Sequence, residues 1–275
     1  MINLQYYTMD YIVDFRDVDR CHDLKAEALM QMFGTVSTHH EVLGMKLRPG
    51  YMMEWDMAWI LYQWKIEVLR PKQYARKLTV HTVAVLKKDM YCYRYFLVKD
   101  LQGNEVARAV SQWVAVDMNK RRIGRIPEPV SEIIQQGEVS ESIRDRILGV
   151  DVAPLRKRSV EFPFELEIPV LYSDVDSNQH VNNAIYARWA TETIHAMDPA
   201  WLEGKYPSTI NVVYKKEKAP GGIVRSKVRL EGTTSYHEIW DNEDNLLTLI
   251  ELGWSDKDVS LGDYTDYDFA AVLRT

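Results

Sequence analysis

Two stretches of the chain repeat apolar positions at the spacing of one helix face. The first stripe has steps of 4, 3, 4 and 3 residues and consists of Leu29, Phe33, Val36, His40 and Leu43. The second stripe consists of Ile185, Trp189, Thr193 and Met197. Because side chains three and four residues apart share a helix face, each stripe predicts a long amphipathic helix. Gly44 and the pair Asp198 and Pro199 are suitable helix ends.

Strand-like runs follow each predicted helix. After the first helix they span Ala58–Leu69, Lys77–Leu86, Tyr91–Lys99 and Val106–Val116. After the second helix they span Thr209–Lys216, Val224–Thr233, Tyr236–Asp241 and Leu246–Ser255. Two turns rich in acidic and amide residues, Asp100–Asn104 and Asp241–Asn245, join neighbouring runs. Such turns are typical of hairpins, so we predict antiparallel sheets.

The two halves of the chain carry the same landmarks in the same order. The two acidic turns lie 141 residues apart, and Trp113 and Trp254 share that offset. Phe15–Asp19 and Tyr172–Asp176 correspond at the start of each half. We therefore predict an internal duplication of the α+β class, in which each copy sets one long helix beside an antiparallel sheet. The polar segment Ser131–Arg158 is the predicted linker.

The composition is that of an ordinary globular chain. Of 275 residues, 46% are hydrophobic and 27% are charged, with a net charge of −6. This balance argues against disorder and against nucleic-acid binding, which usually needs a basic surplus. Two cysteines are too few for a disulfide framework or a CxxC zinc site. With no run of 18 apolar residues and no signal-peptide pattern, we expect a soluble cytoplasmic protein that does not bind membranes.

The densest polar cluster precedes the second predicted helix, between residues 173 and 183. If residues 176–180 are extended, then Asp176, Asn178 and His180 alternate onto one side. A carboxylate, an amide and an imidazole would then meet beside the backbone donors of a helix N-terminus. Such a site suits attack of water on an acyl carbonyl. The structural alternative is that these residue types simply form a turn and a helix cap.

The first copy weighs against that structural alternative. It has Asp19, Cys21 and Asp23 at the corresponding places, so the fold does not require Asn and His there. We therefore predict chemistry in the second copy only. A second cluster, His39–Glu41, has the composition of a metal site. Adjacent helix residues do not face one another, however, so we predict no metal.

The segment Asp176–Asn183 resembles the active-site signature of the acyl-acyl-carrier-protein thioesterases of plants and bacteria. Other segments that resemble this family are Trp59–Arg70, Arg94–Asp100, Ala107–Pro127 and Val213–Lys218, so that the similarity extends from about Tyr11 to Ser255. The resemblance implies two tandem hotdog folds, each a long helix wrapped by an antiparallel sheet. The expected division is an N-terminal, non-catalytic hotdog at 1–133 that holds the acyl chain, a linker at 134–158 and a catalytic C-terminal hotdog at 159–275.

The resemblance also implies catalytic roles for Asp176, Asn178, His180 and Glu217. The implied reaction is hydrolysis of a fatty acyl thioester to free fatty acid and carrier thiol, which ends fatty acid synthesis. We expect Glu217 to act as general base, His180 to position the water or share its proton, and Asp176 to orient His180. Asn178 and the amides of residues 181–183 are expected to hold water or the oxyanion.

One position departs from the family pattern. Lys218 stands where many plant members have a cysteine, so a covalent mechanism lacks its nucleophile and direct attack by water is favoured. No cofactor is expected. The implied partner is an acyl carrier protein with its phosphopantetheine-linked acyl chain, and a homodimer is compatible with the sequence. Basic patches at 120–122, 156–158 and 215–216 are candidate landing points for that acidic partner.

Large apolar residues of the first copy are the expected wall of the acyl-chain pocket. Those that we assign to substrate binding are Met30, Phe33, Trp55 and Trp59. The same residues also suit an ordinary core.

Three other functions are open. One is a general acyl-CoA thioesterase, and another is an acyl-thioester-binding protein without turnover. The third is an enoyl-thioester hydratase, but its signature sets His five positions after Asp rather than four and adds Gly and Pro.

Overall fold

The computed structural model describes residues 6–135, 147, 150, 152 and 155–258. By their contacts these residues divide into two compact units. Of the described residues, the first unit comprises 6–11, 32–69, 77–135, 147, 150 and 152, and the second comprises 12–31, 70–76 and 155–258. The predicted division of the sequence at 134–158 stays a prediction.

The first unit is an antiparallel sheet with helical segments. Its strands are β1 (Tyr6–Ile12), β2 (Met57–Val68), β3 (Lys77–Lys87), β4 (Tyr91–Lys99), β5 (Glu105–Asp117) and β6 (Arg122–Ile123). They lie in the order β1-β3-β4-β5-β2, with β6 paired to β5. Helix α1 (Ala26–His39) belongs to this unit from Met32 onward and continues as a π-helix over His40–Gly44. The other helical segments of the unit are a 3₁₀ turn at Tyr51–Trp55 and α2 (Glu128–Ile134).

An aromatic cluster fixes helix α1 to the sheet of the first unit. Phe33, which is fully buried, packs its ring 5.7 Å from that of Trp64 on β2 and 4.6 Å from that of Phe96 on β4. Aromatic pairs at these distances stabilise a core beyond the area that they bury. The predicted stripe is therefore correct at Phe33. Leu43 is exposed, because the π-helical turn changes the helical phase after His39.

The second unit repeats this plan. Its strands are β7 (Phe164–Pro169), β8 (Lys205–Tyr214), β9 (Ile223–Glu231), β10 (Thr234–Asp241) and β11 (Leu246–Asp256), in the order β8-β11-β10-β9-β7. A 3₁₀ turn at Tyr172–Asp174 precedes α3 (Asn183–Met197), and α4 (Pro199–Gly204) follows it. Helix α3 packs on β7, β9 and β11. The hydroxyl oxygen of Thr193 on α3 lies 2.6 Å from that of Ser226 on β9, which gives a buried polar contact between helix and sheet.

The duplication is confirmed at the level of single hydrogen bonds. In the hairpin turn of the first unit, the Asp100 side chain accepts from the backbone N–H of Asn104 at 2.8 Å and from its side-chain amide at 2.9 Å. Asp241 makes the same two bonds with Asn245, at 2.9 and 2.8 Å. Identical turn chemistry at the predicted offset supports two copies of one α+β unit.

A buried arginine organises the end of α1. Arg94 on β4 lies 2.8 Å from Nδ1 of His40 and donates to Glu41 at 3.0 Å. Burial, together with the Arg94 charge, lowers the pKa of His40 to about 3, so this imidazole stays neutral. Glu41 therefore forms an internal ion pair with Arg94, and the neutral His40 is a hydrogen-bond partner of the same arginine.

Membrane-spanning helices are not found in the part of the chain that the structure describes: none of its helices has the length and apolar character to cross a bilayer.

Candidate active site

The loop at residues 174–182, here called the active-site loop, is a closed turn. Val175 and Val181 pair as a two-residue bridge, and between them the backbone N–H of Gln179 donates to the Asp176 carbonyl at 3.0 Å. Oδ1 of Asp176 accepts from the backbone N–H of Asn178 at 2.8 Å, and Gln179 has a φ of +63°. The predicted extended conformation is therefore wrong. A short Asp side chain bonds the backbone two residues later and thereby favours a turn over a strand.

The same aspartate connects the loop to helix α3. Its Oδ2 accepts from the side-chain amide of Asn182 at 3.2 Å, and Asn182 caps α3 by accepting from the N–H of Ala184 at 3.0 Å. Asp176 contacts His180 through the backbone, where its N–H donates to the His180 carbonyl at 3.0 Å. Asp176 thus orients the loop that carries His180, and the side-chain bonds of Asp176 go to other residues.

Two of the backbone donors expected at the oxyanion are already used inside the protein. The N–H of Val181 donates to the Lys218 carbonyl at 2.9 Å, and the N–H of Asn182 donates to the Asp174 carbonyl at 2.8 Å. Asn178 is exposed, and its side-chain amide has no hydrogen-bond partner among the described residues. Asn178 is therefore better placed than those two amides to receive a ligand oxygen.

A buried carboxylate anchors the start of the loop. Asp174 is fully buried, accepts from the backbone N–H of Leu171 at 2.9 Å and pairs with Arg188 on α3. Arg188 also lies 3.6 Å from Glu27, whose pKa is raised by burial. This network holds the loop against α3.

The structure brings His180 and Glu217 together. Nδ1 of His180 lies 3.4 Å from Oε2 of Glu217, which follows strand β8, and their side chains are 44% and 55% exposed. Water therefore reaches both groups. Hydrogen bonds between catalytic groups are often long without substrate and shorten in the complex, so this distance fits a working pair.

The first copy contains the same turn at residues 17–25, here called the first-copy loop. Oδ1 of Asp19 accepts from the N–H of Cys21 at 2.8 Å, the N–H of His22 donates to the Asp19 carbonyl at 2.9 Å, and the N–H of Asp19 donates to the Asp23 carbonyl at 2.8 Å. His22 has a φ of +65°. Cys21 and Asp23 thus occupy the places of Asn178 and His180, as predicted from the sequence.

A lysine enters the first-copy loop. Lys257, whose side chain is almost fully buried, pairs with Asp19 and lies 3.6 Å from Asp23. Burial, with the neighbouring Asp19 charge, raises the pKa of Asp23 to about 6, although Lys257 and Lys72 oppose that rise. The place that holds His180 in the second copy is thus filled by an internal ion cluster.

Asp23 is expected to make stability depend on pH. The folded protein holds the Asp23 proton more tightly than the unfolded chain does, since the pKa rises from 3.8 to about 6. Its contribution to the free energy of unfolding therefore falls as pH rises through this window, by up to about 3 kcal/mol. We expect Asp23→Asn to flatten the dependence between about pH 4 and 6.5, as measured by urea unfolding.

The exposed Asp244→Asn serves as the control for that measurement and should keep the wild-type dependence. An Asp23→Asn protein whose unfolding free energy varies with pH as steeply as that of the wild type would contradict the assignment.

The residues predicted to hold the acyl chain differ in their surroundings. Met30 in the second unit and Phe33 in the first are both buried in core packing. Trp55 is 40% exposed, and Trp59 is half-buried, with its Nε1 donating to the Tyr51 hydroxyl at 2.8 Å. A role of these four residues in substrate binding stays a prediction.

Neither cysteine lies in the active-site loop. Cys92 is buried in the first unit, and burial raises the pKa of its thiol to about 12, which makes it a poor nucleophile. Cys21 belongs to the first-copy loop. No group of three His, Cys, Asp or Glu side chains in the described residues is arranged to hold a metal ion.

Two tyrosines near the pair were given no role in the site from the sequence. Tyr214 donates its hydroxyl to the Asn183 carbonyl at 2.8 Å, and the Tyr186 hydroxyl accepts from the backbone N–H of Lys218 at 3.2 Å. Burial raises the pKa of both tyrosines, so both hydroxyls stay protonated. Tyr186 lies on helix α3 and Tyr214 at the end of strand β8, where the sequence pattern does not distinguish them from core residues, and only the folded loop shows that they support the site.

The architecture of the two units defines a tandem hotdog protein, in which a long helix lies against an antiparallel sheet in each copy. Two family models match the chain: the acyl-ACP thioesterase N-terminal domain over residues 4–134 and the acyl-ACP thioesterase C-terminal domain over residues 157–256. The chain belongs to the acyl-ACP thioesterase family.

Individual relatives agree with this assignment. The chain is 28% identical over 186 residues to the chloroplastic acyl-[acyl-carrier-protein] hydrolase FATB3 of Cuphea viscosissima, covering 64% of this chain and 43% of that protein. The solved 12:0-ACP thioesterase from Umbellularia californica superposes with a TM-score of 0.78 at 19% identity, covering 92% of this chain and 98% of that one. The solved acyl-ACP thioesterase from Bacteroides thetaiotaomicron superposes with a TM-score of 0.77 at 17% identity, covering 91% of this chain and 98% of that one.

The two solved structures establish the shared fold. The chain spans about half the length of the first curated relatives that it matches, at 47% and 43%.

Proposed function

We propose that this protein hydrolyses fatty acyl thioesters of acyl carrier protein to free fatty acid and carrier thiol. The observation that carries the proposal is the water-accessible pair of His180 and Glu217, whose nitrogen and oxygen lie 3.4 Å apart. Membership of the acyl-ACP thioesterase family supports the substrate class. The absence of a cysteine in the active-site loop favours attack by water over a covalent intermediate.

The proposed reaction is a single displacement through a tetrahedral intermediate. Glu217 removes a proton from water, with His180 sharing that proton, while the water oxygen bonds to the acyl carbonyl carbon. The Asn178 amide holds the developing oxyanion, which a fixed donor stabilises most effectively in a partly desolvated site. The intermediate collapses as the carbon–sulfur bond breaks, and the shared proton goes to the departing thiolate. Because thiols have a pKa of about 8.5, this leaving group needs little help from an acid.

The carrier protein is the proposed partner because basic side chains stand next to the site. Lys215 and Lys216 are exposed and directly precede Glu217. Among the other predicted patches, Arg158 is engaged by Glu231 at 3.0 Å and Lys157 lies over the ring of Trp240. The 215–216 patch adjoins Glu217 in the chain and is therefore the patch that we propose for attracting an acidic carrier.

Release of thiol from defined substrates tests the function. Acyl chains of several lengths would be offered on acyl carrier protein and on coenzyme A, with the thiol product followed by a chromogenic reagent. We expect a kcat/KM at least tenfold higher on the carrier protein. Equal or greater activity on coenzyme A would move the assignment to a general acyl-CoA thioesterase, and binding without release would make it a carrier or sensor. Loss of the enoyl absorbance of a crotonyl thioester without release of thiol would indicate a hydratase.

The first unit is proposed to hold the acyl tail. Apolar residues that cluster there with the half-buried Trp59 are Met45, Leu47, Met52 and Met57. Each buried methylene contributes about 0.8 kcal/mol, so the depth of a pocket selects chain length.

We expect Trp59→Ala to shift the preferred acyl chain by two or more carbons, as measured by kcat/KM across a series of acyl carriers. Tyr62→Ala, on the same strand, serves as a control for a general effect of truncating an aromatic residue. An unchanged chain-length profile in Trp59→Ala would place the tail elsewhere.

The cytoplasm remains the proposed compartment, and subcellular fractionation tests it.

A further inference from the structure

Lys218, which follows Glu217, is buried to an extent that is unusual for a lysine. The residue is only 8% exposed. Its ammonium donates to the backbone carbonyls of Ala219 at 2.9 Å and Gly221 at 2.6 Å. Lysine is almost never fully buried unless its charge is satisfied, and here two carbonyl dipoles satisfy it.

The backbone of Lys218 is fixed as well. Its carbonyl accepts from the N–H of Val181 at 2.9 Å, and its N–H donates to the Tyr186 hydroxyl on helix α3 at 3.2 Å. Val181 directly follows His180, and Lys218 directly follows Glu217. The bond between Val181 and Lys218 therefore spaces the two members of the His180–Glu217 pair.

The side chain of Lys218 closes the turn behind that bond. Gly221 and Gly222 have φ values of +76° and +77°, a left-handed conformation that glycine adopts without strain. The Gly222 carbonyl accepts from the N–H of Val170 at 3.0 Å, just after strand β7. The turn is thus tied to β7 on one side and to the active-site loop on the other, with the Lys218 ammonium between these ties.

We propose that Lys218 is a positioning residue, whose ammonium holds the 218–222 turn so that Glu217 faces His180. This inference rests on the proposed function. Lys218 is not a catalytic residue, since its ammonium donates to the turn carbonyls and it contacts the pair only through neighbouring backbone. Placement errors of about 1 Å lower rates by as much as about 100-fold, so a looser turn should slow catalysis more than it weakens binding.

Lys218→Met keeps the length of the side chain but removes its three donors. We expect kcat on an acyl carrier substrate to fall about tenfold while KM stays within twofold. Lys218→Arg, which retains donors and charge, should keep at least a third of the wild-type kcat. Lys227→Met is the matched control: it removes a half-buried lysine that pairs with Glu165 on β7, and it should leave kcat unchanged.

A spectroscopic measurement makes the test independent of turnover. The imidazole NMR signals of His180, assigned by their loss in His180→Ala, should move in Lys218→Met and return towards wild type in Lys218→Arg. If Lys218→Met does not fold, Lys218→Gln, which keeps one donor group, replaces it in both measurements with the same expected result.

Two outcomes would overturn the role of Lys218. One is a kcat within twofold of wild type together with unmoved His180 signals. The other is equal impairment of Lys218→Met and Lys218→Arg in proportion to their melting temperatures, which would indicate a purely structural lysine. By contrast, a wild-type protein that releases no thiol would refute the proposed function, while the NMR comparison would still decide the role of Lys218.

Discussion

Replacing Glu217 by Gln or His180 by Ala is expected to lower kcat by roughly 10²- to 10⁴-fold for every acyl chain length. Each change removes one member of the pair that handles the proton of the attacking water, and neither side chain is buried. The fold should therefore survive, and KM should change little. Single-turnover measurements with acyl carriers of short, medium and long chain test both the size of the effect and its independence of chain length.

The double variant sharpens this expectation. Residues that act as one unit are strongly non-additive, so Glu217→Gln with His180→Ala should be little slower than either single variant. Glu243→Gln, which changes an exposed carboxylate in the turn between β10 and β11, should retain wild-type turnover. Near-normal kcat in both single variants, with the fold confirmed by circular dichroism, would end the assignment of this pair.

The second large effect is on stability, at Arg94 in the first unit. Arg94→Met is expected to lower the free energy of unfolding by about 3 kcal/mol. Its guanidinium is 6% exposed and bonds both His40 and Glu41, so the substitution leaves a partly buried carboxylate without its partner. For a chain of this size, the loss corresponds to a melting temperature lower by about 6–12 °C. Thermal and urea unfolding would measure the change.

An exposed ion pair provides the comparison for Arg94. Arg48 and Glu54 lie 2.8 Å apart, with the arginine 72% exposed. Exposed pairs contribute about 0–1 kcal/mol, so Arg48→Met should lower stability by far less than Arg94→Met. If Arg94→Met and Arg48→Met lower the free energy of unfolding equally, then the buried Arg94 network stabilises the protein no more than an exposed ion pair does.

The sequence was sufficient to predict the duplication, because turns and helices depend on local residue types and the same types recur in the same order in both halves of the chain. The bounds of β4 agree with the prediction residue for residue, and helix α3 ends at the predicted Asp198. Strands β1 and β7 were not predicted. Each lies at the outer edge of its sheet, and all of its residues are half-buried or exposed. Neither segment therefore has the run of buried apolar residues by which the other strands were predicted.

The candidate site could be predicted only in part. Family resemblance placed Glu217 with His180, and the structure brings them together, although 37 residues separate them in the chain. Residue types could not reveal that Asp176 would close a turn, since an aspartate serves equally in a strand-end site or in an Asx turn. Nor could they reveal the burial of Lys218, because an isolated lysine in a polar segment usually lies in solvent.

The two copies of the closed turn have a consequence for how this chain can change. In both loops the turn depends on one aspartate and on backbone bonds, so the residues at 21 and 23, or at 178 and 180, are free to vary without loss of the turn. A few point substitutions at these positions are therefore enough to give two such loops different side-chain chemistry. In the first-copy loop the buried Lys257 pairs with Asp19 and lies 3.6 Å from Asp23, so the loop cannot take an imidazole at position 23 without disturbing this cluster. Introducing His at position 23 would place an imidazole beside a buried ammonium, and a second active centre would first require the removal of Lys257.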